Sequence, residues 1–271
     1  RDFSDYKLIR IKHSEGAENK STGRAGYGWI RNGFAIDKDG GIYIASQQHM
    51  HKIVWNGEKL STDEKDGAWS VPYLNDWGHG TGATPSLMGF GEEDQFVVIT
   101  DGQPQMNVVL FWRNRIPVDW QQLSGAPSRR IAGQLPVTMG DPDLAGIQSE
   151  QSVVVAGYGA FVVNNRARNI PWYLPEQAAT LLISYLGSNP QYQPFGVQKF
   201  AWDPQARALK EAWVNRQVSS PSSVPMVGVG SNTVYLVGAR NNLWTLEAIN
   251  WSTGESRFHY VIGGQRYNVL F

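Results

Sequence analysis

His49 and His51 stand two residues apart in SQQHMHK (46–52), so an extended chain projects both imidazoles to one side, a spacing that zinc and copper sites use. His79 in NDWGHGTG (75–82) and Glu150 in QSEQS (148–152) each follow a turn-rich stretch. An imidazole and a carboxylate brought together can ligate a metal or share acid-base work, so His79 and Glu150 form the candidate catalytic pair. The two-residue histidine spacing makes His49 and His51 the candidate metal ligands, with a divalent ion as the implied cofactor. A second set, Arg31, Asn32, Asp101, Asn164, Asn165, Arg166, Arg240 and Asn241, offers donors and acceptors able to orient a sugar or a carboxylate. Each has a structural alternative, because such residues also satisfy loop backbone groups and Asn and Asp cap turns. Asp101, Asn164, Asn165, Arg166, Arg240 and Asn241 are expected in the loops between second and third strands, and Arg31 and Asn32 interrupt an otherwise apolar first strand, which suits a polar channel lining. For Asp101 before Gly102, and for Asn241 before Asn242, the turn is the first reading.

Several chemistries are excluded. There is no Gly-x-Ser-x-Gly elbow, no His-Glu-x-x-His and no EF-hand loop, and GHGTGATPS (78–86) lacks the lysine of a phosphate loop. The absence of cysteine removes disulfides, thiolate metal sites and a Cys nucleophile together. Lys plus Arg and Asp plus Glu both number 24, a balance that argues against nucleic acid or an anionic membrane as partner. No run approaches the ~18 apolar residues of a membrane span. The chain starts at Arg1 with neither an initiator Met nor a signal peptide, which is consistent with a processed, exported protein or with a trimmed piece of a longer one, and an extracytoplasmic location is the expectation.

The elements that would position these residues are short strands. Eleven Trp, eleven Tyr and ten Phe favour pleated surfaces, and 29 Gly and 14 Pro punctuate them. Four-strand groups recur over 28–62, 80–132, 148–215 and 219–263. Such units cannot bury both faces alone, so the repeat predicts an all-β fold, a β-propeller of four-stranded antiparallel blades in one domain over 1–271. A β-sandwich is the alternative. DYKLIRIKH (5–13) and YNVLF (267–271) read as parts of a further blade, and the chain is expected to continue past Phe271 into a ring of five to eight blades. PEQAATLLISYLG (175–187) carries helix start and stop signals. The long connections 61–80, 132–149 and 165–194 are expected on one face, as ordered walls of a pocket.

LEAINWSTGESRFHYVIGG (246–264) resembles the PQQ-like β-propeller repeat, in which Ala-x-Asp-x-x-Thr-Gly-x-x-x-Trp closes each blade; Ala248, Asn250, Thr253 and Gly254 match, with Phe258 at the Trp position. The resemblance covers one blade and implies a superfamily of quinoprotein dehydrogenases and of cofactor-free binding or scaffold proteins. Its alcohol dehydrogenases set a vicinal cysteine pair against the quinone, and this chain has none, so PQQ is not expected. The resulting expectation is an exported propeller that binds a small polar ligand of the carbohydrate type and acts on it by metal-assisted or acid-base chemistry. A non-catalytic scaffold holding a protein partner is the alternative, and a quinoprotein oxidoreductase the second alternative.

Overall fold

The computed structural model describes residues 18–19, 24–25, 30–76, 80–141, 143–144, 146–174, 186–194, 196–221 and 223–264. The expected strands at 5–13 and 267–271, His79, and 175–185 of the expected helix lie outside this set.

Blade 1 contains β3 (Ala35–Ile36), β4 (Gly41–Ala45) and β5 (His49–Trp55), and the outer edge of β5 is shared by β6 (Leu60–Ser61) and β7 (Trp69–Pro72). A two-stranded ribbon of β1 (Glu18–Asn19) and β2 (Arg24–Ala25) precedes it. Blade 2 is β8 (Ser86–Met88), β9 (Phe96–Thr100), β10 (Asn107–Trp112) and β11 (Ile131–Pro136). Blade 3 is β12 (Val154–Ala156), β13 (Gly159–Val163), β14 (Val197–Asp203) and β15 (Ala208–Asn215). Blade 4 is β16 (Met226–Gly228), β17 (Thr233–Arg240), β18 (Leu243–Asn250) and β19 (Ser256–Gly263). All four are antiparallel meanders, and the protein is an all-β propeller fold as its repeat predicts.

Turn chemistry sets the local geometry. In the β3–β4 turn the Asp37 carboxylate accepts from the backbone N–H of Asp39 and Gly41 and from the Tyr43 hydroxyl, while Gly40 takes φ 86°. Burial alone would raise the Asp37 pKa, but these hydrogen bonds together hold it below the ordinary carboxylate value. Asn241 and Asn242 both adopt positive φ, 50° and 66°, which closes β17 onto β18 with the twist a two-residue hairpin needs.

The blades pack face to face through three hydrophobic clusters. Tyr43, Met50 and Trp69 of blade 1 meet Val97, Ile99, Val109 and Phe111 of blade 2. The largest cluster joins blades 2 and 3, with Phe96, Trp112, Trp120 and Trp202 packed in tilted and edge-to-face pairs at centroid separations of 4.7 to 6.2 Å. Phe161, Val163 and Trp213 of blade 3 meet Val234, Leu236 and Ile249 of blade 4.

Two details differ from the sequence-based expectation. The connection 61–80 is not wholly a loop: a 3-10 turn, Glu64–Asp66, leads into β7, whose Trp69 is buried in the first cluster and donates its indole N–H to the Arg113 carbonyl. Arg31 and Asn32 do not interrupt the first strand; β3 begins at Ala35, and both residues lie in the segment that enters it.

Candidate ligand-binding site

In a meander blade the turn between strands two and three and the connection from strand four to the next blade leave at the same end of the sheet. Backbone hydrogen bonds tie these segments together: Gly102 N–H to the Leu74 carbonyl, Met106 to Ile147, Asn165 to Gln148 and Asn242 to Ser188. The long connections therefore share one face.

At the inner edge of that face the segments entering the innermost strands converge. Arg31 precedes β3, Gly82 precedes β8, Glu150 precedes β12 and Pro221 precedes β16. Arg31 Nη2 donates to Glu150 Oε2 at 2.7 Å, an ion pair that links blade 1 to blade 3 across 119 residues. It passes over Gly82, where a side-chain carbon would stand 2.7 Å from Glu150 Oε2. The Asn165 amide completes the ring of contacts. Its oxygen accepts from the Glu150 backbone N–H at 2.8 Å and from the Ser149 hydroxyl at 3.1 Å, and its nitrogen donates to the Pro221 carbonyl at 2.9 Å. The Arg31 and Glu150 side chains are 27% and 43% exposed, so the pair is open to solvent and to a ligand. Asn32, the residue after Arg31, is half-buried.

The other candidates have structural partners. Asp101 is buried, and its carboxylate accepts from the backbone N–H of Gln103 and Asn107 and from the Asn107 side chain. Burial pushes its pKa up to about 6, against these hydrogen bonds, which pull it down, and with the nearby charge of Asp76 adding to the rise. Asn164 is buried and accepts from the Arg166 N–H. The Arg166 guanidinium lies where a side chain at Gly146 would sit, against the connection between blades 2 and 3. Arg240 is the last residue of β17 rather than a loop residue, and it forms a two-point ion pair with buried Glu247 at 2.8 Å for both bonds.

His49 and His51 do project to one side of β5, their ring centroids 5.9 Å apart. His51 is buried, with Nε2 at 2.8 Å from the Ser46 hydroxyl. The pair shares a sheet face with Ile53, on the side of β5 opposite Met50 and the first cluster. Among the described residues no group of three or more His, Cys, Asp or Glu side chains is placed to hold a metal ion.

Sequence reasoning passed over two features. Tyr73 and Asn75 brace the site from behind: the Tyr73 hydroxyl donates to the Gln47 carbonyl and accepts from Thr81 N–H, and Asn75 bridges the Gln47 carbonyl to Gly80 N–H. Residues 168–169 are fastened to 191–193 by Arg168 and Asn169, and beyond this neck Trp172 and Tyr173 stand 93% and 68% exposed in an edge-to-face pair. Aromatic residues in a polar insertion were the signal for the second; the first has none.

No protein-family model matches this chain. A curated relative from Archaeoglobus fulgidus, described as an uncharacterized protein, is 40% identical over 265 residues, covering 94% of this chain and 48% of that protein. The chain therefore spans about half the length of the curated relative it matches. Among solved structures, the periplasmic gluconolactonase PpgL of Pseudomonas aeruginosa superposes with a TM-score of 0.50 at 12% identity, covering 88% of this chain and 55% of that one. The quinohemoprotein alcohol dehydrogenase of Comamonas testosteroni gives a TM-score of 0.47 at 12% identity, over 96% and 44%. The likeness to the gluconolactonase is one of fold, and it agrees with the propeller architecture. No helix among the described residues is long and apolar enough to cross a membrane.

Proposed function

We propose that the protein is an extracytoplasmic propeller that binds a small neutral polyhydroxylated ligand, of the carbohydrate type, at the Arg31–Glu150–Asn165 network. The observation that carries this reading is the convergence of four blade-entry segments on one partly exposed ion pair. A guanidinium donates and a carboxylate accepts, and each neutralises the other. Such a pair suits a ligand whose hydroxyls do both and which brings no charge of its own. In this reading Asn32 and Arg166 extend the polar rim, whereas Asp101, Asn164 and Arg240 hold the loops and strands behind it. The gluconolactonase carries in its name a periplasmic location and a sugar lactone, a polyhydroxylated molecule of the class proposed.

The catalytic part of the reading assigns acid-base work to Glu150 and His79, the latter beside Gly80, whose N–H is fixed by Asn75. A divalent ion on His49 and His51 needs a further ligand from outside the described residues. Binding of a panel of sugars and sugar lactones to the wild type, Arg31→Ala and Glu150→Gln, followed by calorimetry, tests the site. Loss of binding in both variants with melting temperatures within about 2 °C of wild type supports it, since exposed pairs contribute at most about 1 kcal/mol to stability. Unchanged binding in both overturns it. Hydrolysis assays on His79→Ala and metal analysis of His49→Ala then test the catalytic and metal parts.

A scaffold role is the second reading, favoured by the exposed Trp172–Tyr173 pair, because rigid aromatics of this kind anchor protein partners. It predicts partner capture that Trp172→Ala abolishes and Glu150→Gln leaves intact.

A further inference from the structure

The turns between strands one and two, and between strands three and four, lie at the end of the blades opposite the candidate site. Positive charge collects there at the junction of blades 1 and 2. Strand register sets Tyr43, Lys52 and Trp69 in one row across β4, β5 and β7, on the face that meets blade 2. Blade 2 answers with Arg113 and Asn114, which follow β10, and with Arg130, which precedes β11. Lys52 Nζ donates to Asn114 Oδ1 at 2.7 Å. Arg130 Nη1 donates to the Trp112 and Asn114 carbonyls at 2.9 and 2.8 Å, and its guanidinium lies 4.7 Å from the centre of the Trp69 ring. Arg113 Nη2 donates to the Gly89 carbonyl at 3.0 Å, and the exposed Phe90 ring covers the guanidinium at 5.6 Å.

These cations lack a counter-charge. Lys52 is 9% exposed and Arg113 4%, yet among the described residues neither they nor Arg130 form an ion pair. Arg113 Nε and Nη1 are buried without a hydrogen-bond partner. The Asp37 carboxylate, whose charge reaches Lys52, is already committed to the Asp39 and Gly41 N–H groups and to the Tyr43 hydroxyl. Asp39 and Glu64 act on the cluster from exposed positions, where water screens them. Burial first, and then the charges of Arg130 and Arg113, hold the Lys52 pKa below its ordinary value against the pull of Asp37, and burial lowers that of Arg130 to about 10. Buried charges in folded proteins are paired, and buried donors are bonded. A water molecule accepts a bond but leaves the charge as it stands; an anion answers both. We propose that this junction binds a small inorganic anion of the chloride, sulfate or phosphate class, held by Lys52, Arg113 and Arg130, and that the anion ties blade 1 to blade 2.

Thermal unfolding of the 271-residue chain in a zwitterionic buffer free of these ions tests the site. Chloride, sulfate and phosphate are each titrated as sodium salts to about 10 mM, below the range in which sulfate and phosphate stabilise proteins by exclusion from their surface. At least one of them raises Tm by about 2 °C for each tenfold increase above its dissociation constant. No rise with any of the three overturns the proposal. Lys52→Met and Arg113→Met each remove one charge with little change in side-chain length, and in both, with the circular dichroism spectrum of the wild type, the rise is expected to vanish. A full rise in both variants shows general screening by salt and also overturns the proposal. Crystals containing bromide in place of chloride, or selenate in place of the tetrahedral oxyanions, give an answer that does not depend on how a variant folds. An anomalous peak within hydrogen-bond reach of Lys52 Nζ and the Arg113 guanidinium supports the site, and peaks that lie only elsewhere refute it.

Discussion

Arg240 has the composition of a ligand-binding residue and the geometry of a structural one, and Arg240→Ala separates the two. Its Nε and Nη2 each donate to one Glu247 oxygen at 2.8 Å, and the Thr245 hydroxyl donates to Oε1 at 2.6 Å. Glu247 is 1% exposed, and its Cγ fills the space that a side chain at Gly238 would need. Removing the guanidinium leaves a buried carboxylate with one hydroxyl donor, and breaking a buried pair in this way costs about 3–5 kcal/mol. Because Arg240 itself is 29% exposed, water can approach the orphaned group, and the lower end of that range is expected. At about 2.1 cal/mol/K per residue the unfolding entropy of 271 residues is about 0.57 kcal/mol/K, so a loss of about 3 kcal/mol lowers Tm by about 5 °C. Urea unfolding followed by circular dichroism measures the loss directly. Arg240→Lys recovers only part of it, since an ammonium cannot match both oxygens. The double variant Arg240→Leu, Glu247→Leu recovers most, because the desolvated charge is gone. A loss below about 1 kcal/mol in Arg240→Ala, the size of an exposed pair, refutes the structural assignment.

The buried Asp101 carboxylate makes stability depend on pH. Its folded pKa, about 6, lies above the ordinary 3.8, so the folded state holds the proton more tightly than the unfolded state does. The stabilisation is complete below the unfolded value and is lost as pH rises from about 4 to 6. A two-unit gap corresponds to about 3 kcal/mol at most. Asp101→Asn abolishes that slope, so its urea midpoint gains on the wild type between pH 4 and 7; parallel midpoints across that window count against the assignment. In the Thr-Gly turn, Gly254 has φ 79° and its missing side chain faces the Trp213 ring at 2.6 Å. Gly254→Ala therefore combines left-handed strain with overpacking, a loss of about 2–4 kcal/mol in urea unfolding, with any ligand binding at the far face unchanged.

Blade order was legible because the signals that carry it are local. In blade 4, alternation from Leu243 to Asn250 and the paired Asn241 and Asn242 turn lie within ten residues, and the register follows from them. The outer strand of blade 1 was not legible. Trp69–Pro72 joins β5 only after a 3-10 turn, and its pairing depends on Trp69 reaching a cluster built mainly by blade 2. The two-residue spacing of His49 and His51 did place them side by side, but spacing is silent about what else approaches them. For Arg31 the polar interruption was visible, yet its meaning rests on a carboxylate 119 residues away. Long-range pairing of this kind leaves no periodic trace.

The fold separates the two demands on the sequence. Residues that hold blades together point sideways out of the sheets, where apolar area is needed, and they include Trp69, Trp112, Trp202 and Trp213. Arg31 and Glu150 of the candidate site lie in the segments that enter the innermost strands, where the chain has left one sheet and not yet joined the next, and Asn165 opens the connection that follows β13. Their backbone groups need side-chain partners there, which is why an amide at Asn165, both donor and acceptor, stands between the Glu150 N–H and the Pro221 carbonyl. The same bonds that satisfy these segments also fix the Arg31–Glu150 pair in position. A site built this way is rigid because the loops around it are rigid, and its side chains can be exchanged at little cost to the blades behind them.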